Sequence, residues 1–364
     1  MHGLHAGLHL RRMDALAELL KGSPELFPYG LDAAHDTVSF IRLSRGDYEH
    51  ASFLDARILT ARTERRIVPW PQAAAAVEAA GLVERCAYIF HIGHVGSTLM
   101  SRLIGAHARA FGLREPAILR AFAQLRGEPA AHLRDWAGAD FETRLGACVK
   151  LLSRTFEAQE VAVIKATSFV SELADELLAR PSAPRALMMY VSPESYLATI
   201  LGGPNSRQEA QRLAPDRLRR LQRRLGGEAW QPESLSEGET LALAWTCEVC
   251  ALSEAAARAG GRILWLDFDE FLADPAPGLL AALGHLKIDA SAQEVAAILR
   301  GPHMGRYSKA PEHAYDAALR REVLNEARAL HGAEIGRGLA WLNRATAQFA
   351  QVRSAMALIG ASAA

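Results

Sequence analysis

Short, mostly apolar runs alternate along the middle of the chain with longer stretches whose apolar positions recur every three to four residues. Residues 87–92 form one such run, and the stretch 97–107 carries Leu99, Met100, Leu103 and Ile104 on one helical face. Further runs lie at 110–113, 161–164, 186–191 and 262–266. Helical periodicity fills 117–125, 140–156, 170–179, the stretch from Pro193 onward, and 239–258. Strands separated by helices predict a three-layer α/β architecture, with a central, mostly parallel sheet covered by helices on both faces. Right-handed crossovers then bring the strand C-terminal ends to one edge, where open α/β sheets bind ligands. Ahead of this core lie an amphipathic helix at 11–20, Pro24 and Pro28, and strand-like pieces around 38–43 and 53–59. Pro69-Trp70-Pro71 reads as a linker before a short helix at 73–80. The expected organisation is an accessory region at 1–80, an α/β core at 81–305 and a helical C-terminal extension at 306–364.

Composition narrows the function classes. Of the 364 residues, 50% are apolar and 23% charged, as in ordinary globular chains. Forty-one basic residues balance forty-one acidic ones, so no overall field favours nucleic acid or a membrane surface. No stretch approaches the roughly 18 uncharged apolar residues of a membrane span. The first residues lack a cationic start followed by a long apolar core, so a cytoplasmic location is the expectation. Cys247 and Cys250 form the one C-x-x-C, inside a helical pattern, and read as small buried helix residues rather than a metal or redox pair. Only five of the 41 basic residues are lysine, which draws notice to a lysine in a motif such as Lys165.

The chemistry-bearing feature is the junction between the run at 87–92 and the helix from Ser97. Gly93-His94-Val95-Gly96 is a tight glycine-containing turn, and Ser97-Thr98 opens the helix. Glycine lets the backbone approach an anion closely, and the free N–H groups and dipole of a helix start favour negative charge. Two hydroxyls at the mouth can donate to phosphate oxygens. The nucleoside-triphosphatase pattern G-x-x-x-x-G-K-[ST] does not fit, because His91 and Ser97 stand where glycine and lysine are required.

With Ser97-Thr98 in place of that lysine, the loop Gly93-His94-Val95-Gly96-Ser97-Thr98-Leu99-Met100 resembles the 5′-phosphosulfate loop of the PAPS-dependent sulfotransferases. PAPS is 3′-phosphoadenosine-5′-phosphosulfate. The other strand ends extend the resemblance over about residues 86–290. Gly112-Leu113-Arg114-Glu115-Pro116 resembles the segment that carries a candidate general base, here Glu115. Val163-Ile164-Lys165 resembles a strand whose lysine faces the phosphosulfate. Met188 to Thr199 resembles the 3′-phosphate element, with Ser192 and Thr199 as hydroxyl donors. The stretch Ile263 to Pro275 matches a structural signature in which Asp267 to Glu270 cap a turn. Two positions depart from the family pattern: His94 replaces its loop basic residue, and Val191 its 3′-phosphate arginine.

The resemblance implies a P-loop-like fold and sulfuryl transfer from PAPS to a hydroxyl or amine. Glu115, His94 and Lys165 would be catalytic. Gly93, His94, Val95, Gly96, Ser97, Thr98, Ser192, Thr199 and Arg306 would contact the donor, with no metal. It also implies a small-molecule or carbohydrate acceptor, no nucleic-acid or membrane partner, and leaves a homodimer open. Arg207, Arg212 and Arg306 are the arginines available to replace the missing 3′-phosphate contact. Two other readings share the pattern: a P-loop kinase-like phosphotransferase, and a catalytically degenerate nucleotide-binding or interaction protein. Arg217, Arg219, Arg220, Arg223 and Arg224 cluster on a helical stretch and read as a solvated face.

Overall fold

The computed structural model describes residues 15–127, 136, 139–227, 229–305 and 316–362. Its centre is a five-stranded parallel sheet made of β4 (Cys86–His91), β5 (Ala110–Arg114), β6 (Val161–Lys165), β7 (Ala186–Tyr190) and β8 (Ile263–Asp267). The strand order is β5-β6-β4-β7-β8, and every pairing is parallel. Strands β4 and β7 are buried along their whole length, as expected where helices cover both faces of a sheet.

The order fixes where the site lies. After β4 the chain moves outward to β5 and returns through β6. It then crosses to the other side of β4 for β7 and β8. The connections that leave β4 and β7 therefore diverge, which opens a crevice at the C-terminal edge. Register aligns the ends there: Ile89 and Arg114 flank Lys165, His91 lies beside Met189, and Tyr190 beside Asp267.

The helices used below are α1 (Ser97–Gly105), α2 (Ala117–Gly127), α3 (Pro193–Leu201), α4 (Pro204–Leu225), α5 (Glu237–Ala259) and α6 (Ala317–Gln348). Helix α6 is two helical stretches that meet at a kink at His331. Helix α5 is buried on nearly every side, packed against α4 and α6. The Trp245 indole N–H of α5 donates to the Val191 carbonyl at 3.1 Å, tying that helix to the end of β7. Cys247 and Cys250 are buried in α5, as the helical pattern implies. Burial pushes the Cys250 thiol up to about 12.

The sequence pattern and the structure part company in five places. The accessory region holds a three-stranded antiparallel sheet, β1 (Leu26–Asp32), β2 (Thr37–Arg42) and β3 (Arg65–Pro69), of which the pattern showed only β2. Pro28 and Gly30 obscure β1, and a register shift falls between them. The first four residues of β3 are Arg-Arg-Ile-Val, three of them exposed, on an edge strand. Pro69-Trp70-Pro71 is no linker: Pro69 closes β3, and Trp70 is buried at the first turn of the helix Trp70–Ala79. The 53–59 piece is a 3-10 turn at Ala56–Ile58, capped by the Asp55 carboxylate. The helix expected at 170–179 is a 3-10 segment, Ser168–Leu173, that runs into the short helix Ala174–Leu178.

The arginine cluster on α4 is the largest departure. Arg217 and Arg220 are buried around Glu248 of α5, which is itself fully buried. Arg217 Nε lies 3.1 Å and Arg220 Nη2 2.8 Å from the Glu248 carboxylate, and Ser171 Oγ donates to it as well. Arg219 and Arg223 are exposed, as a solvated face requires.

Candidate active site at the strand-end crevice

The turn between β4 and α1 adopts the left-handed conformation three times, at Gly93 (φ +90), His94 (φ +56) and Gly96 (φ +63). Only glycine takes such angles without steric cost, and a non-glycine residue there marks a constrained turn. Gly96 has a second constraint, because a Cβ at that position would overlap the Phe268 ring. Phe268 is buried, and the Arg320 guanidinium sits 5.1 Å from its ring centre. The bend is thus locked from below by an aromatic side chain at the end of β8. Gly96→Ala is expected to cost about 2–4 kcal/mol, from overpacking plus a left-handed alanine. A urea melt checks this; an unshifted midpoint would show that Phe268 moves aside freely.

Inside the turn, the Gly93 N–H donates to His91 Nδ1 at 3.0 Å. That bond fixes the imidazole tautomer, since an acceptor nitrogen carries no proton. The other ring nitrogen, Nε2, lies 4.0 Å from Glu115 Oε1. His91 is therefore part of the site's framework, linking the loop backbone to Glu115. His94 points away from it, toward α4. Its Nε2 is 3.8 Å from Glu209 Oε2, and its Nδ1 is 3.5 Å from Ser206 Oγ.

At the neighbouring strand ends, Lys165 and Glu115 meet. The Lys165 ammonium donates to Glu115 Oε1, and Lys165 is 1% exposed. Its Nζ lies 5.4 Å from the centre of the Phe53 ring. Glu115 is at φ +54, and its N–H donates to the Lys165 carbonyl at 2.6 Å. A glutamate held left-handed costs roughly 1–3 kcal/mol, and such outliers concentrate at functional sites. The local fold needs this turn, because Pro116 follows and α2 begins at Ala117.

The loop hydroxyls differ. Thr98 is 2% exposed, and its Oγ1 has no hydrogen-bond partner among the described residues. Thr167 Oγ1, two residues beyond Lys165, is likewise buried without a partner among the described residues. An unpaired buried hydroxyl is costly unless a ligand or water completes it. Ser97 is also buried, at the first position of α1. Ser168 faces the loop, with its Oγ 3.7 Å from where a Cβ on Gly93 would stand.

The opposite side of the crevice is less open to a ligand. Ser192 is exposed and caps α3, its Oγ accepting from the Ser195 N–H at 3.1 Å. Thr199 Oγ1 donates to the Ser195 carbonyl at 2.7 Å, so its one proton is engaged within its own helix. Val191 is fully buried. Arg207 forms a two-point pair with Glu237. Arg306 lies outside the described residues, as do Ser308 and Lys309. Asp267 Oδ1 accepts from the Asp269 and Glu270 N–H groups, the turn-capping role read from its sequence.

Sequence reasoning missed the residues that roof the site. The chain at Leu54 pairs with the end of β5: its N–H donates to Arg114 O at 2.6 Å, and the Ala117 N–H donates to Leu54 O at 3.0 Å. The Arg114 guanidinium, buried beneath, donates to the carbonyls of Tyr48, Glu49 and Ala51. Burial lowers the Arg114 guanidinium to about 10. This clamp carries Phe53 onto Lys165 and sets Arg57 over Phe53, 3.6 Å from the ring centre. No motif marks 53–57; the one signal was an aromatic residue close to acidic and basic neighbours.

Among the described residues, no group of three or more histidines, cysteines or carboxylates is placed to hold a metal, and no helix is long and apolar enough to cross a membrane. No family model and no curated protein matches the chain. Its fold is similar to those of solved sulfotransferases. The sulfotransferase domain from the curacin biosynthetic pathway is 11% identical, with a TM-score of 0.43, over 69% of this chain and 98% of that one. Sulfotransferase STF1 from Mycobacterium tuberculosis is 12% identical, with a TM-score of 0.40, over 70% and 83%. Sulfotransferase STF9 from Mycobacterium avium is 13% identical, with a TM-score of 0.39, over 87% and 96%.

Proposed function

We propose that this chain is a sulfotransferase that moves a sulfuryl group from PAPS to a hydroxyl or amine acceptor. The observation that carries the reading is the pair of buried Lys165 with half-buried Glu115 beside a glycine-bent loop whose Thr98 hydroxyl has no partner among the described residues. A nucleoside-triphosphate site would carry its lysine in the loop, where this chain has Ser97. Here the lysine comes from the adjacent strand end and brings a carboxylate with it.

The residues divide the work as follows. The N-terminus of α1 and the Thr98 O–H favour the terminal phosphate oxygens of the donor. Lys165 supplies a full positive charge at the oxygen that bridges phosphorus and sulfur. Glu115 accepts the acceptor proton while the new acceptor–sulfur bond forms and the bridging oxygen–sulfur bond breaks. The electron pair of the broken bond goes to the bridging oxygen, where Lys165 stabilises it. His94 faces Glu209 and Ser206 of α4, so it would bear on the donor only by turning back toward the loop, where an imidazolium would add positive charge. In the free protein Lys165 and Glu115 supply each other's counter-charge. Ligand binding therefore redirects Lys165 from Glu115 toward the donor, which leaves the carboxylate to act as base. The 3′-phosphate side is the weaker half, with the Ser192 O–H as its one available donor among Ser192 and Thr199.

Val191 and the engaged Thr199 favour a second reading, a nucleotide-binding protein without transfer chemistry. Incubation with PAPS and a panel of phenols, amines and oligosaccharides separates the two. Mass spectrometry is expected to find an acceptor carrying one added sulfuryl group, with an equal amount of adenosine 3′,5′-bisphosphate. PAPS recovered intact with every acceptor class would overturn the transfer proposal and favour the second reading.

A further inference from the structure

Beside the strand-end crevice lies a cleft of about 1120 Å³ that the donor chemistry does not use. Its walls come from α2, from the segment that follows β6, and from the second half of α4. The first two follow β5 and β6, on the same side of β4 as Glu115 and Lys165, and α4, which follows β7, closes over them. Phe169 forms part of the wall and directly follows Ser168, which faces Gly93. Electrostatics link the two places through the roof: the Arg120 charge acts on Asp55, Asp55 pairs with Arg57, and Arg57 feels Glu115.

Among the described residues, seven arginines and five carboxylates line the cleft. Most arginines are neutralised in place, such as Arg224 between Glu172 and Glu254. Two are not. Arg120 has no carboxylate partner among the described residues and rests 4.9 Å from the centre of the Phe169 ring. Arg223 donates to the Gly127 carbonyl and pairs with no carboxylate among them. The buried Arg217–Glu248–Arg220 cluster sets the wall behind Phe169, with guanidinium carbons 5.8 and 5.1 Å from the ring centre. The cleft thus offers a rigid aromatic surface and two uncompensated guanidiniums suited to oxyanion groups.

We propose that this cleft is the acceptor subsite and that it selects acceptors carrying acid groups (carboxylate, sulfate or phosphate), held by Arg120 and Arg223. The inference rests on the sulfotransferase reading for the name "acceptor", while its anion preference stands on the cleft alone. Phe169 packs against the apolar face of the same ligand, and the remaining carboxylates accept its hydroxyl groups.

The test is calorimetry on the full chain, first with adenosine 3′,5′-bisphosphate alone and then with three probes on the bisphosphate-saturated protein. The probes are a heparin-derived tetrasaccharide, an oligogalacturonate tetramer and maltotetraose, which separate sulfate, carboxylate and neutral sugar. At least one acidic probe is expected to bind, more weakly at high salt, with maltotetraose at least tenfold weaker. Arg120→Ala with Arg223→Ala is expected to lower acidic-probe affinity at least tenfold and to leave bisphosphate affinity unchanged. The Arg120→Lys, Arg223→Lys pair, which keeps both charges, is expected to recover part of the loss. Equal binding of neutral and acidic probes, no binding of any, or binding indifferent to the alanine pair would overturn the proposal. Acidic-probe binding without bisphosphate binding keeps the cleft and removes the donor reading.

Discussion

Replacing Glu115 by glutamine is expected to lower turnover by about 10²- to 10⁴-fold, the usual range for losing a positioned general base. Donor affinity should stay nearly unchanged, because the Thr98 hydroxyl and the α1 N-terminus are untouched. Glutamine keeps the shape and can still accept from Lys165, so the change isolates charge and basicity. Steady-state kinetics with PAPS and a titration with adenosine 3′,5′-bisphosphate read the two halves separately. Unchanged turnover would move the base elsewhere, and not to His91, whose Nε2 carries the ring proton while Nδ1 accepts from Gly93. A parallel loss of donor affinity would mean that Glu115 chiefly orients Lys165.

Glu248→Gln is expected to destabilise the fold by about 3–5 kcal/mol, since removing one partner of a buried charge cluster leaves the others uncompensated. Glu248 is fully buried and faces Arg217 Nε and both terminal nitrogens of Arg220. It also accepts from Ser171, whose segment follows β6 and builds the cleft wall. Glutamine would leave Arg217 facing a neutral acceptor, while Arg220 would keep Glu172, 3.0 Å away, as its remaining carboxylate. A urea denaturation curve measures the effect, and Glu254→Gln is the control. Glu254 pairs with Arg224 at a more exposed place, where an ion pair contributes roughly 0–1 kcal/mol. Equal midpoint shifts for the two variants would show that burial of the cluster is not what stabilises it.

The core was legible because its strands leave short apolar runs, most clearly β4 and β7, which are buried along their whole length. Strands β4 to β8 each fall within two residues of their runs. The loop at 93–98 was legible because glycine spacing and a hydroxyl pair are local features, and the structure shows the left-handed turns they require. Glu115 and Lys165 were each found through their strand ends, but their contact was not. Residues fifty apart in sequence meet only once the β5–β6 register places Arg114 beside Lys165. Arg217 and Arg220 misled for the same kind of reason: a run of arginine reads as solvated until Glu248, on a different helix, is seen beneath it. The roof at 53–57 was invisible because the Arg114 clamp that positions it is made to backbone carbonyls, which carry no sequence signature.

The central claim is that the loop takes a phosphosulfate nucleotide rather than a nucleoside triphosphate. Calorimetric titration of the purified chain with adenosine 3′,5′-bisphosphate, ATP with magnesium, and AMP tests it most directly. The account predicts that the bisphosphate binds and that ATP with magnesium does not compete with it. Tight binding of ATP with magnesium, with the bisphosphate ignored, would contradict it.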